Sequence, residues 1–252
     1  MSKKLENKIA LVTGASKGIG AAIATHLASQ GATVVVNYST SREGADRVVS
    51  QITKAGGKAL AIQANLSNPA DITRLFAETK KAFGHLDILV NNAGIYSFAP
   101  LAEITPDHFH SQFNLNVLGL LLASQQAAQL FPSTGGSIIN ISSVVSTATP
   151  PAASVYSATK AAVDAITKSL ATELGPKKIR VNSVNPGLVA TEGTTSAGIA
   201  NPDGDFNKQF VSQTPLGRAG LPNDIAPAVS FLASDDASWI TAQTLHISGG
   251  FR

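Results

Sequence analysis

The chain has no cysteine among its 252 residues. That excludes a disulfide scaffold, thiolate catalysis and cysteine-ligated zinc, and it fits a reducing cytoplasm. Charge is scarce as well. Only 14% of residues are charged, the net charge is +3, and the basic residues are scattered with no aromatic-basic cluster. No nucleic-acid surface is therefore expected. Long apolar runs are also missing: the one at 9–12 is far too short for a signal segment, and none later reaches about 18 residues. A soluble, cytoplasmic protein without membrane association is expected. The five histidines, His26, His85, His108, His110 and His246, form no ligand constellation, so no metal is expected. What the chain does have is 44% hydrophobic residues. A chain of this size buries roughly 70–75% of its unfolded surface, so the fold needs neither disulfide nor metal.

Short β-branched runs alternate with longer helical patterns. Strands are predicted at 9–13, 33–37, 58–63, 88–91, 137–142, 180–185 and 244–247, and helices at 19–29, 42–55, 69–83, 106–130, 154–174 and 222–233. Pro69, Pro106 and Pro222 suit first helical turns, and Gly31, Gly84 and Gly175 suit helix stops. The alternation predicts an α/β fold: one doubly wound, Rossmann-type parallel sheet of about seven strands with helices on both faces, over 1–252. The segment 191–214 is rich in Gly, Thr, Ser and Asn and breaks the rhythm. It follows a strand end, where such sheets bind ligands, and is read as a substrate lid.

The first strand runs into Thr13-Gly14-Ala15-Ser16-Lys17-Gly18-Ile19-Gly20 and then a helix. Glycines allow a tight turn and close backbone approach, and a helix N-terminus offers free N–H groups to a pyrophosphate. Gly14, Ser16, Lys17, Gly18, Ile19 and Gly20 are accordingly dinucleotide-binding candidates. An acid about 20 residues further on would hold the ribose diol of NAD. No Asp or Glu occurs between Glu6 and Glu43. The position reads Asn37-Tyr38-Ser39, with Arg42 just beyond, so these four join the cofactor-binding candidates, and Lys17, Ser39 and Arg42 can meet a 2′-phosphate that no carboxylate repels. NADP(H) is favoured over NAD(H).

The glycine spacing, Gly-x-x-x-Gly-x-Gly, resembles the cofactor motif of the short-chain dehydrogenase/reductase family, and further motifs extend the resemblance over essentially the whole chain. Asn91-Asn92-Ala93-Gly94 is similar to the family's element whose backbone lies along the cofactor, so Asn92, Ala93 and Gly94 join the binding set. Asn65 stands where relatives place an Asp against the adenine, with Leu66 beside it. Tyr156-Ser157-Ala158-Thr159-Lys160 matches Tyr-x-x-x-Lys. That spacing puts both side chains on one helix face, where an ammonium lowers the phenol pKa toward working range. The resemblance implies that Lys160 also binds the nicotinamide ribose. It also implies that Ser143 holds the substrate carbonyl, with Ser142 as the rival, and that Asn116 holds a water linking Lys160 to solvent. Pro186, Gly187, Val189 and Thr191 match residues at the nicotinamide end.

The implied reaction interconverts a carbonyl and an alcohol, with Tyr156 as general acid/base. The pattern is nearest the 3-oxoacyl-[acyl-carrier-protein] reductases and related ketone reductases. No Lys or Arg occurs between Ala82 and Thr159, whereas an acidic carrier protein needs a basic docking surface. A small-molecule carbonyl is therefore preferred, with the carrier-protein reductase as the alternative. The pocket candidates at 143–155, 95–98 and in the lid, among them Val144, Val145, Thr147 and Phe206, are mostly apolar, which suits an uncharged, apolar substrate. A non-catalytic dinucleotide sensor is the alternative of another class, but it would be expected to lose part of the Asn116, Ser143, Tyr156, Lys160 set. The resemblance also implies a homotetramer.

Overall fold

The computed structural model describes residues 3–251. Its centre is a seven-stranded, wholly parallel sheet in the order β3-β2-β1-β4-β5-β6-β7. The strands are β1 (Ile9–Val12), β2 (Thr33–Tyr38), β3 (Lys58–Gln63), β4 (Ile88–Asn91), β5 (Gly136–Ile141), β6 (Ile179–Pro186) and β7 (Thr244–Ile247). Successive strand side chains point to opposite faces, so the β-branched runs feed two cores at once. Val34 and Val36 lie in the core on one face, with Ile23 and Leu27. Val35 lies in the other, with Phe76 and Leu174. Strand register aligns Val35, Leu11, Leu89, Ile138 and Val181 in one row across the sheet, and each is essentially inaccessible. Burying each such side chain stabilises the fold by about 1.5–3 kcal/mol.

The crossover helices are α1 (Gly18–Ser29), α2 (Arg42–Lys54), α3 (Pro69–Phe83), α6 (Ser154–Leu174) and α9 (Pro222–Ala233), together with a helical run from Pro106 to Leu130. Local chemistry sets their starts. Asn68 accepts from the Ala70 N–H ahead of α3, and Thr105 caps the helix opening at Pro106 by accepting from His108. Gly31 and Gly84 end their helices at φ 103° and 82°, as predicted. Gly175 also stands just past its helix, as the C-cap of α6, but in a right-handed conformation, and the left-handed residue is Lys178.

Two further predictions need correction. The helix predicted over 106–130 is three pieces, α4 (Pro106–Phe113), a π-helical stretch (Asn114–Gly119) and α5 (Leu120–Leu130). Hydrophobic periodicity does not distinguish α from π winding, so the break is silent in sequence. The lid, read as irregular, contains two short helices, α7 (Glu192–Ser196) and α8 (Asp205–Ser212). Thr191 opens α7 through a reciprocal capping box with Thr194, a Thr-Thr version of a pattern usually recognised by Glu or Gln.

The strand order reverses between β1 and β4. A crevice outside the carboxyl ends of the strands at such a switch point is where open α/β sheets bind ligands.

Candidate active site

A cleft of about 320 Å³ occupies that crevice. Its walls come from the segments leaving β1, β4, β5 and β6, from the first turns of α6 and from the lid.

At one end is the glycine turn. Gly14 and Gly18 adopt φ of 62° and 58°, which a side chain would strain. Gly20 is required for a different reason: a Cβ there would collide with the Asn92 side chain and lie 2.6 Å from the Gly14 carbonyl oxygen. The N-terminus of α1 has neither a side-chain cap nor an acid in its first turn. Its N–H groups and partial positive charge therefore face the cleft without competition, which suits a pyrophosphate. Asn92 holds the turn from the β4 side, donating to the Thr13 and Gly14 carbonyls at 2.8 and 3.1 Å. Thr13 returns the tie, its hydroxyl accepting from the backbone N–H of Asn92 and Ala93. Nothing in its residue type marked Thr13 for that task.

Asn37 requires a correction. It was expected to face the cofactor, yet it is fully buried. Its side-chain oxygen accepts from the Gly14 N–H at 3.1 Å. Its amide hydrogens are shared among the carbonyls of Ala64, Ile62 and Tyr38 at 3.1, 3.3 and 3.4 Å. Asn37 shapes the turn from behind. Tyr38 is half-buried against the core, and the exposed groups on this rim are Lys17, Ser39, Thr40 and Arg42. Arg42 pairs with Asp46 at 3.5 Å on the surface. Asn65 is exposed, its side-chain oxygen engaged by Ser67, while the Leu66 side chain belongs to the core. Asn91 bridges Asn140 and Ser124 across the sheet at 2.9 and 3.0 Å.

At the other end stand Tyr156 and Lys160, on successive turns of α6, with Ser143 beside the phenol. Ser142 turns away and donates to the Lys160 carbonyl at 3.1 Å, whereas the Ser143 hydroxyl stands beside Tyr156 and accepts from the Val145 N–H at 3.3 Å. Lys160 is 7% exposed and donates to the Ile141 carbonyl at 2.9 Å. Burial lowers its pKa to about 8, with Asp164 acting in the opposite direction. Burial raises the Tyr156 phenol to about 12, and the Ser143 hydroxyl only moderates that rise. The expectation that the ammonium depresses the phenol is therefore not met. Lys160 Nζ is 5.8 Å from the phenol ring centre and directed at a carbonyl, so desolvation outweighs it.

Asn116 lies in the π-helical stretch and is 2% exposed. Its side-chain oxygen accepts from the Ile95 N–H at 2.9 Å, and its amide donates to the Ile95 carbonyl and to Thr159. It thus pins the loop after β4 to α6. Gly94 packs beside it: a Cβ there would lie 3.2 Å from the Asn116 oxygen and 3.7 Å from Lys160 Nζ. Pro186, Gly187, Val189 and Thr191 line the same cleft, although the Thr191 hydroxyl is occupied by its cap.

The remaining wall is apolar. Tyr96, Phe98 and Tyr156 form a triangle of rings with centroids 6.0–6.1 Å apart. Phe206 and Phe210 close the opposite side from α8, with Ile199 from the segment before it. Phe206 was expected from its place in the lid. Phe210 and Ile199 were missed, since only the α8 fold brings them round. Among the described residues no group of acids and histidines is arranged to hold a metal, and no helix is long and apolar enough to cross a membrane.

A family profile described as "Enoyl-(Acyl carrier protein) reductase" matches residues 14–252. An uncharacterized oxidoreductase of Methylorubrum extorquens is 55% identical over 99% of both chains. A versicolorin reductase of Emericella nidulans is 41% identical, covering 98% of this chain and 96% of its own. Among solved structures, a short-chain dehydrogenase/reductase from Serratia marcescens superposes with a TM-score of 0.93 at 39% identity, covering 98% of this chain and 99% of its own. A short-chain dehydrogenase from Burkholderia cenocepacia, in complex with NADP, gives 0.91 at 39% identity over 98% of both chains. With fold, glycine turn and Tyr156–Lys160 helix already in place, these likenesses identify the chain as a member of the short-chain dehydrogenase/reductase family and an oxidoreductase.

Proposed function

We propose that the protein is an NADP(H)-dependent carbonyl reductase acting on a small, apolar ketone or aldehyde. One observation carries the reading: a half-buried phenol with a serine hydroxyl beside it stands at the far end of the cleft from an uncapped helix N-terminus. The glycine turn fits a pyrophosphate, and Lys17, Ser39 and Arg42 supply a rim for a 2′-phosphate, with no acid at the end of β2 to repel it, although Arg42 is shared with Asp46. Neighbours solved with NADP and NADPH support the same choice. Bound there, NADPH supplies the hydride for the carbonyl carbon.

The chain's own groups do the proton chemistry. Ser143 donates a hydrogen bond to the carbonyl oxygen, and Tyr156 gives that oxygen its proton as the alkoxide develops. A phenol held near pKa 12 is protonated throughout the neutral range, which is the form reduction consumes. Lys160 is placed to orient the cofactor ribose, and Asn116 to hold the loop that flanks it. The ring triangle and the α8 phenylalanines make the wall apolar, which favours an uncharged substrate.

A carrier-protein substrate is less well supported, because the stretch without Lys or Arg between Ala82 and Thr159 includes α4 and α5. We also propose a homotetramer, supported by apolar side chains left exposed on the helical run at Phe109 and Leu118 and near the sheet edge at Trp239.

The test is loss of NADPH absorbance across a panel of ketones, run beside NADH. Turnover with NADPH is expected to exceed that with NADH. Tyr156→Phe is expected to lose several orders of magnitude in kcat while still binding NADPH. Near-normal turnover in that variant, or equal use of NADH, overturns the corresponding part of the reading.

A further inference from the structure

Asp164 lies one helical turn beyond Lys160, so Tyr156, Lys160 and Asp164 make a single stripe along α6. The aspartate is half-buried and accepts from the Asn185 amide at 2.9 and 3.2 Å and from the Ser183 hydroxyl at 3.2 Å. Asn185, fully buried at the end of β6, extends its amide group also to the Ser143 carbonyl and the Ser146 hydroxyl, at 3.3 and 3.2 Å. Its side-chain oxygen lies 2.6 Å from the same Ser183 hydroxyl, whose single proton is shared between Asn185 and Asp164. One carboxylate therefore gathers the catalytic helix, the turn carrying Ser143 and the strand end that leads into Pro186-Gly187.

The elements around Lys160 bring it little other charge. β6 offers Ser183 and Asn185, its Arg180 lying at the far end against the Ile240 and Ser234 carbonyls. The end of β5 and the turn after it offer the Ile141 carbonyl, Ser142 and Ser143, and the π-helical stretch offers Asn116. On α4, His108 is directed at the Ser97 carbonyl, while Asp107 and His110 are exposed. The loop after β4 brings Tyr96, which bears on Tyr156. On α6 itself, Tyr156 and Asp164 remain.

We propose that Asp164 is a positioning residue for the reaction, fixing the Ser143 turn through Asn185 and placing a compensating negative charge behind Lys160. The inference rests on the proposed roles of Lys160 and Ser143. Burial alone works against the Lys160 ammonium, and Asp164 is the neighbour that opposes this.

Asp164→Asn keeps the shape and an acceptor but removes the charge, whereas Asp164→Ala removes both. NADPH binding is read from its fluorescence between pH 6 and 9.5, and kcat is measured at pH 6.5. In the wild type, binding is expected to weaken as pH rises through about 8, the pKa of Lys160. Loss of a neighbouring opposite charge moves such a midpoint by roughly one pH unit. Asp164→Asn should therefore bind about fivefold more weakly than the wild type at pH 8 and within about twofold at pH 6.5. Asp164→Ala should in addition lose about tenfold in kcat at pH 6.5, where the lysine is charged in every variant. An unmoved midpoint in Asp164→Asn overturns the charge role, and wild-type kcat in Asp164→Ala overturns the Ser143 role. A wild type that binds NADPH without pH dependence instead refutes the Lys160 reading on which the inference stands.

Discussion

Replacing Asn37 by Asp separates two ways of using the end of β2. If the side chain faced a cofactor, the change would be tolerated by the fold and would alter nicotinamide preference. The structure places it behind the glycine turn, fully buried, with its amide hydrogens serving backbone carbonyls. A carboxylate keeps the acceptor for the Gly14 N–H but turns its second oxygen on the carbonyls of Ile62 and Ala64. Left ionised, it is an uncompensated buried charge, worth about 3–5 kcal/mol of destabilisation. Protonation offers an escape that costs about 1.4 kcal/mol for each pH unit above the unfolded value near 3.9, hence about 4 kcal/mol at pH 7. The lost second donor adds about 1 kcal/mol. The sign follows from linkage: the variant's carboxyl has a raised pKa in the fold, so the unfolded state releases its proton first and the deficit grows as pH rises. Urea unfolding followed by circular dichroism should show a loss of about 4–5 kcal/mol at pH 7 and about 2–3 kcal/mol at pH 5. Wild-type stability at pH 7, or a switch to NADH with an unchanged melting temperature, refutes the reasoning.

Three further outcomes are expected. Gly20→Ala puts a methyl group against Asn92 and 2.6 Å from the Gly14 carbonyl oxygen, and such overpacking destabilises by about 1–3 kcal/mol. Thermal melts and NADPH titration should both register it, and unchanged affinity argues against a tightly fitted turn. The Lys160 ammonium is present below about pH 8 and lost above it, so NADPH affinity should fall with rising pH. In Lys160→Met the same titration should be flat, and a retained slope assigns the dependence to another group. Lys17→Ala and Arg42→Ala should each raise the KM for NADPH more than that for NADH, and equal effects on both would deny them the 2′-phosphate.

Much of this architecture is legible in the sequence because its signals are local. The predicted bounds of β3, β4, β7, α3, α6 and α9 coincide with those of the folded elements, each set by a proline, a glycine or a clean apolar period. Tyr156, Lys160 and Ser143 are brought to one cleft with Gly14, Gly18 and Gly20, because strand ends at a switch point converge whatever lies between them. What escaped depends on non-local facts. Asn37 carries the same letter whether it faces solvent or the back of a turn, and only strand pairing with β3 decides. The phenol pKa depends on how deeply the lid and the Tyr96–Phe98 pair enclose it, which spacing along α6 does not encode. Asp164 was within reach, lying four residues past Lys160. Its meaning needed Asn185, which only the β6 register supplies.

The π-helical stretch from Asn114 to Gly119 has a wider consequence. Such windings are uncommon in otherwise α-helical runs and concentrate at functional sites. Here the wider coil turns Asn116 toward Ile95 and Thr159, while Gly119 meets the Leu66 carbonyl so closely that a Cβ would overlap it. Removing one residue from the stretch would let α4 and α5 fuse into a single regular helix, a gain in backbone regularity. It would also rotate Asn116 off the loop beside Lys160. This helix therefore has a ready mutational route to greater regularity that would forfeit the Asn116 contacts of the proposed site, the kind of conflict that keeps proteins short of their stability optimum.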